Sequence, residues 1–371
     1  MSEADLPALA QRVLLAGGLL GALFGALAQR THFCTMGAVA DIANMGDWSR
    51  MVQWLVAMAA AMLGFNALVG LGLVQARHSI YTAPTWLPLS HALGGLLFGT
   101  GMVLASGCGS KTLVRIGGGS LKALAVFVVL AIAAYATLRG IVAVARVATV
   151  DRAAVALPAG QDLPSLLAAA GLGTTRTIAP LLALAVAAAL LLLAATRREA
   201  RRPEVWLGGL GIGAVVTAGW WVTGHLGHVA EHPLTLEEAF VGTQAGRMES
   251  LTFIAPAAHT LDWIILFSDK SRALSFGIVT TLGVVLGSAA VALARGSFRW
   301  EGFAGAEDTA NHLLGAVLMG VGGVTALGCT VGQGLTGLST LALGSVVSLA
   351  GIVAGAVAAL RYQAWRVERS G

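Results

Sequence analysis

Charge is what this sequence has least of. Asp, Glu, Lys and Arg make up only 11% of its 371 residues, against roughly 25% in a soluble domain. With 57% hydrophobic residues, a charged shell around a small core is excluded. Cysteine is nearly as scarce: there are three, an odd number, and no two are near neighbours in the chain. That excludes a disulfide framework, a zinc ribbon and a CxxC redox site. The apolar runs are continuous rather than alternating, so a transmembrane β-barrel is excluded too. The chain starts with Glu3 and Asp5 rather than a basic segment, and no signal peptide is expected.

What is present is a series of long apolar runs, at about 13–29, 51–73, 91–107, 121–140, 178–196, 205–222, 251–268, 274–294, 312–328 and 344–360. Several approach the roughly 20 residues that cross a bilayer as a helix. The fold class expected is an all-α polytopic membrane protein, with about nine transmembrane helices plus short re-entrant ones. The net charge of +5 then describes loops at a lipid surface, and no nucleic acid partner is expected.

Internal repetition organises the chain. The stretch His91–Cys108 recurs as His312–Cys329 without a gap, ten of the eighteen positions being identical. Gly21, Gly25 and Cys34 reproduce the spacing near the start, so every cysteine occupies one repeat position. A worn fourth copy passes through Gly209 and Gly213 and has Val222 where the cysteine would stand. Buried free cysteine is often a small hydrophobe; its placement at one repeat position three times points to function. Pairing the copies divides the chain into 1–177, a connector at 178–202, and 203–371. One odd crossing between equal halves inverts the second half, the plan of many secondary transporters. Arg197, Arg198, Arg201 and Arg202 mark the end of the connector as cytoplasmic. Threading from there puts Arg30, Arg50, Lys111, Arg115, Lys122, Arg295, Arg299 and the C-terminal arginines on the same side, with the N-terminus periplasmic. Run 251–268 breaks this parity unless it is re-entrant, interfacial or paired with another short crossing. Its Asp262 needs a cavity or a partner.

Past each thiol the chain turns to small and polar residues: Thr35-Met36-Gly37, Gly109-Ser110-Lys111, and Thr330-Val331-Gly332-Gln333. Glycine there permits non-helical backbone and close approach of a ligand, tolerated at membrane depth where it is shielded or lines a wet cavity. The free N–H groups of a broken helix suit an anion, and Lys111 and Arg115 add full charge. Candidate pathway residues are therefore Cys34, Cys108, Cys329, Gly107, Gly109, Ser110, Lys111, Arg115, Gly328, Thr330 and Gln333, with Gly117 to Gly119, Gly332 and Gly334 as further pathway backbone. Gly21/Gly25, Gly95/Gly99 and Gly209/Gly213 read instead as helix-packing surfaces. A thiol is a weak donor with a polarisable sulfur, suited to soft contacts with a small oxyanion that ends in sulfur, such as thiosulfate. Conduction asks for several such contacts, none too strong. His225, His228 and His232 share a helical face and can ligate a metal, although interfacial polar residues are the commoner reason for such spacing.

The stretches Ser106–Gly119 and Gly323–Gly334 resemble the YeeE/YedE family of bacterial sulfur-transport membrane proteins. Arg247-Met248-Glu249-Ser250, Asp269-Lys270-Ser271-Arg272 and Arg299-Trp300-Glu301-Gly302-Phe303 are similar to it as well. The resemblance implies an inner-membrane importer of thiosulfate with inverted halves and three pathway cysteines, here Cys34, Cys108 and Cys329. It also implies a small cytoplasmic sulfur-carrier protein as a partner; neither enzymatic activity nor a cofactor is expected. Two other classes compete. An intramembrane thiol oxidoreductase needs two cysteines close enough to bridge. A soft-metal permease would use the cysteines with His225 or His228.

Overall fold

The computed structural model describes residues 5–269 and 272–370; Glu3, Lys270 and Ser271, named above, lie outside them. In chain order the helices are α1 (Asp5–Thr31), α2 (Thr35–Met45), α3 (Ser49–Gly70), α4 (Pro88–Leu104), α5 (Gly109–Gly117), α6 (Leu121–Arg139) and α7 (Ile141–Ala148). They continue as α8 (Leu163–Ala169), α9 (Thr175–Ala195), α10 (Pro203–Trp221), α11 (Ile254–Ile265), α12 (Phe276–Ala294), α13 (Ala306–Thr325) and α14 (Leu343–Ser370). Two-residue strands form two small antiparallel pairs: β1 (Thr85–Trp86) with β2 (Val155–Ala156), and β3 (His228–Val229) with β4 (Ala239–Phe240).

Among the described residues, 8 helices are long and apolar enough to cross a membrane, those built on α1, α3, α4, α6, α9, α10, α12 and α14. The remaining expected crossing is α13. Its 20 residues would reach about 30 Å at ~1.5 Å per residue, but Glu307, Asp308, Asn311 and His312 make its first turns polar. The doubtful run near 251–268 is α11, only 12 residues long and too short to cross at that rise. Its Asp262 has found partners: Arg272 at 3.1 Å and the Tyr135 hydroxyl at 2.8 Å. The region 146–176 holds β2 and α8.

Glycine decides which helices meet. A Cβ at Gly21 or Gly25 would collide with the α12 backbone at Thr280 or Val284, and Gly283 and Gly287 answer from α12 against Gly18 and Ala22. Gly95 and Gly99 meet the α14 backbone at Ser348 and Ile352, and Gly351 and Gly355 answer against Ala92 and Leu96. Gly209 and Gly213 press on α3 at Val56 and Ala60. Without a hydrophobic drive between helices in lipid, such close approach supplies association through dispersion. The main pairings are α1 with α12, α3 with α10, α4 with α14, and α6 with α13. Exchange α1 with α10, α3 with α12, α4 with α13 and α6 with α14, and these pairings map onto one another. The contacts α1–α10 and α4–α13 map onto themselves. α9 stands outside this scheme, packing mainly on α3 and leaving Leu181, Leu184 and Leu192 exposed as a lipid-facing surface.

Candidate functional site

The repeat seen in sequence is also a repeat of backbone shape. A long helix ends, one residue turns left-handed, and two residues later a cysteine starts a short helix. The left-handed residues are His32 (φ 55), Ser106 (φ 53) and Leu327 (φ 60), and none is glycine. Each costs about 1 kcal/mol or more against the right-handed form, so the neighbouring structure must hold it. At the ends of α4 and α13 it does: Gly107 N–H bonds Met102 O and Gly328 N–H bonds Gly323 O, both at 2.8 Å, the reversal that satisfies stranded helix carbonyls.

The glycines therefore serve close approach rather than the turn itself, which sequence had assigned to them. A Cβ at Gly109 would stand 3.0 Å from Ile254 Cδ1, one at Gly107 3.3 Å from Lys111 Cγ, and one at Gly328 3.1 Å from Gln333 Cγ. Gly332 abuts Thr252 and Gly334 abuts Trp54. Gly117 packs on α12 at Ser288, and Gly119 (φ 99) lies against the Arg299 carbonyl, so these two are helix and turn contacts.

Each thiol is fully or nearly buried, with exposures of 7% for Cys34 and 0% for Cys108 and Cys329. Cys34 is the N-cap of α2 and its Sγ accepts the Gly37 N–H at 3.3 Å. Cys329 accepts the Gly332 N–H at 3.3 Å from the π-helical turn Gly332–Gly337, and the Phe253 N–H from the start of α11 also points to it. Cys108 is the N-cap of α5 but makes no side-chain capping bond; its Sγ lies 3.3 Å from Ser110 Oγ, with the Lys111 N–H close by. Each sulfur thus sits in the positive end of a helix dipole, among N–H donors.

The three sites converge. The Cys34 and Cys108 side chains are close neighbours that interact electrostatically. The Thr330 hydroxyl, fully buried beside Cys329, has no hydrogen-bond partner among the described residues and lies near enough to Cys108 to act on it electrostatically. Cys108 is therefore the middle member, with Cys34 on one side and Thr330 and Cys329 on the other.

Two expected pathway residues are already occupied. Arg115 makes a forked pair with both Glu301 oxygens at 3.2 Å, which neutralises its charge. Gln333 uses its amide N–H on the Ala326 carbonyl and its oxygen on Ser345 Oγ at 2.6 Å, so it ties the turn after Cys329 to α14. That turn is held further by Asn66 on Ser339 O (2.8 Å), Trp220 on Ser339 Oγ (3.0 Å) and Thr336 on Leu251 O (2.6 Å). Lys111 differs: it has no ion-pair partner among the described residues and lies in electrostatic reach of Cys34 and His32, as Arg50 and Arg295 do of His32. The surroundings of His32, beside Cys34, are therefore basic, although Arg50 is itself paired with Asp41 at 3.3 Å.

On the opposite side of the thiols is a cavity of about 340 Å³ that reaches Gly328 and Thr252, next to Cys329. Arg139, His259 and Ser275 line it, together with Glu249. Glu249 is 6% exposed, with one carboxylate oxygen unpartnered. Burial raises its pKa to about 7, against the opposing pull of a Gln244 N–H. Sequence reading quoted Arg247-Met248-Glu249-Ser250 without giving it a role. Tyr81 also escaped notice; its hydroxyl lies by Thr252 and the Gly332 backbone. Only the folding of the 71–87 loop over the end of the bundle brings it there. The histidine trio does not assemble: His225 contacts Leu73 O and His232 the Leu234 N–H, whereas His228 meets Glu238.

Residues 30–358 match the family described as sulphur transport. The chain is 28% identical over 340 residues to the thiosulfate transporter TsuA of Escherichia coli (strain K12), covering 87% of each. It is 29% identical over 344 residues to the thiosulfate transporter TsuA of Spirochaeta thermophila, covering 89% of this chain and 92% of that one. With a buried line of thiols at the broken ends of helices in a multi-pass bundle, and a match across most of its length, the chain belongs to the sulphur-transport family.

Proposed function

We propose that the protein imports thiosulfate, or a closely related small sulfur anion, through the cell membrane along a path past Cys329, Cys108 and Cys34. The observation that carries this reading is the placement of all three sulfurs among helix N-terminal N–H groups, with Cys108 in reach of both neighbours. The substrate's sulfonate end would meet the N–H donors while its terminal sulfur exchanges weak S–H···S contacts from thiol to thiol. Each such contact is worth about 1 kcal/mol, enough to order the steps and small enough to release the ion. The cavity beside Cys329 serves as entrance, and Lys111, rather than the paired Arg115, draws the anion toward the exit.

The helix pairings that survive exchange of α1–α6 with α10–α14 support two inverted halves about an axis in the membrane plane. Arginines at 197–202 support a cytoplasmic end for α9, a periplasmic N-terminus and a cytoplasmic C-terminus. The basic surroundings of His32, beside Cys34, then face the cytoplasm, where a small sulfur-carrier protein would take the product.

The contact between Cys34 and Cys108 favours one second reading, a thiol–disulfide cycle during transport. Growth on thiosulfate as sole sulfur source, in cells lacking other importers, tests the first reading and separates the two. The relay expects rescue by the wild type, little rescue by Cys→Ala at any of the three positions, and intermediate rescue by Cys→Ser. Serine keeps a donor but loses the polarisable surface. A membrane-permeant reductant leaves a relay unaffected and stalls a disulfide cycle. No rescue by the wild type would remove the thiosulfate assignment, and a Cys34–Cys108 bridge trapped in turnover would replace the relay.

A further inference from the structure

Three side chains from separate segments meet in the loops between the helices. His78 ends the turn that follows α3, His228 opens β3, and Glu238 immediately precedes β4. The Glu238 carboxylate lies 2.7 Å from His228 Nε2 and 3.2 Å from His78 Nε2. One ligand atom from each residue falls within 4.8 Å of the other two. The imidazoles stack with centroids 6.0 Å apart and planes at 24°, and Phe240 packs against both rings at 5.3 and 5.2 Å. Phe240 is placed there by the β3–β4 register, which sets His228 opposite it. The donors are thus held by a hairpin and an aromatic wall rather than by chance on a mobile surface.

We propose that His78, His228 and Glu238 form a binding site for a divalent transition metal of the zinc class, which fastens the loop between α3 and α4 to the β3–β4 hairpin. Two imidazole nitrogens and one carboxylate match the preferences of zinc and leave room for water in the coordination sphere. Bonds of roughly 2.0–2.2 Å in a tetrahedral site put neighbouring donors about 3.4 Å apart, against 2.7 and 3.2 Å from the Glu238 carboxylate to the two imidazoles. Side-chain exposures of 12%, 28% and 39% keep the site within reach of solvent. Burial above all, with Arg77 beside it, holds the His78 pKa below its ordinary value against the pull of Glu238. Arg77 Nε, 3.1 Å from His78 Nε2, competes for that nitrogen and must swing outward when metal binds; its side chain is exposed.

The site reaches the cavity through the backbone. Met248 N–H bonds His78 O at 3.1 Å, Ser79 and Met248 form a bridge, and the next residues on each strand, Ile80 and Glu249, line the cavity wall. A metal at the three donors would clamp both sides of that wall at once. This assignment does not depend on which anion is carried.

The test uses the full-length protein, purified in detergent and stripped with a chelator. Titration with zinc chloride in a calorimeter is expected to give one equivalent of saturable binding and a raised Tm. His228→Gln and Glu238→Gln should each weaken binding at least about a hundredfold, since losing even an outer-shell partner costs 10–100-fold. Metal-free Tm values of both variants should match the metal-free wild type, which separates lost ligation from misfolding. Cobalt(II) substitution should give a nitrogen–oxygen tetrahedral spectrum without a thiolate charge-transfer band. No saturable binding by the wild type, binding unchanged in both variants, or a thiolate band placing the metal at the cysteines would each overturn the proposal.

Discussion

At the scale of single residues, the thiols were legible because three copies of one phrase carried them. Their contact was not, since Cys34 and Cys108 meet only through helices far apart in sequence. The same gap explains Arg115 and Gln333: spacing showed that they follow a cysteine, but Glu301 and Ser345 lie 186 and 12 residues away. Glu249 is the residue whose role the geometry most changes. In the proposed import path it stands at the entrance, beside Arg139 and His259, and would repel an anionic substrate when charged. With its pKa raised to about 7 by burial, it is neutral below that pH and charged above it. Thiosulfate uptake should therefore fall as external pH rises through about 7, while Glu249→Gln should hold the acidic rate across the range. Initial uptake rates at several pH values check this. A Glu249→Gln profile that falls as the wild type does would assign the pH dependence to another group.

At the scale of elements, long apolar helices could be read directly because lipid demands roughly 20 continuous apolar residues. The short elements were harder. α2 and the turn after Cys329 are stabilised by burial among other helices and lie outside the apolar runs, whereas α11 falls inside run 251–268 and α5 has an apolar face over only 9 residues. Glycine spacing was informative where it packs helices and misleading where it follows a thiol, since the left-handed positions are His32, Ser106 and Leu327. The packing role gives a clean comparison within α1. A Cβ at Gly25 collides with Val284 O, whereas one at Gly18 meets nothing within 4 Å. Gly25→Leu should thus destabilise by about 1–3 kcal/mol or more through overpacking, and Gly18→Leu should be near neutral. Thermal unfolding followed by size-exclusion chromatography in detergent reads both. Equal loss at the two positions would mean that α1 and α12 do not meet at Gly25.

At the scale of the whole molecule, composition alone placed the chain in a bilayer, and repetition suggested its division into halves. The main helix pairings all join a helix of 1–177 to one of 203–371, and exchanging the partners maps them onto one another. Sequence could not show that the broken ends of α1, α4 and α13 converge on one place, which is what turns three isolated thiols into a line. The account stands or falls on that line carrying the anion. Its most direct measurement is uptake of radiolabelled thiosulfate by liposomes that contain only the purified protein, comparing wild type with Cys108→Ala and Cys108→Ser. The account predicts saturable uptake by the wild type, loss of most of it in Cys108→Ala, and an intermediate rate in Cys108→Ser. Wild-type uptake by Cys108→Ala would contradict it, because the anion would then pass without the middle thiol.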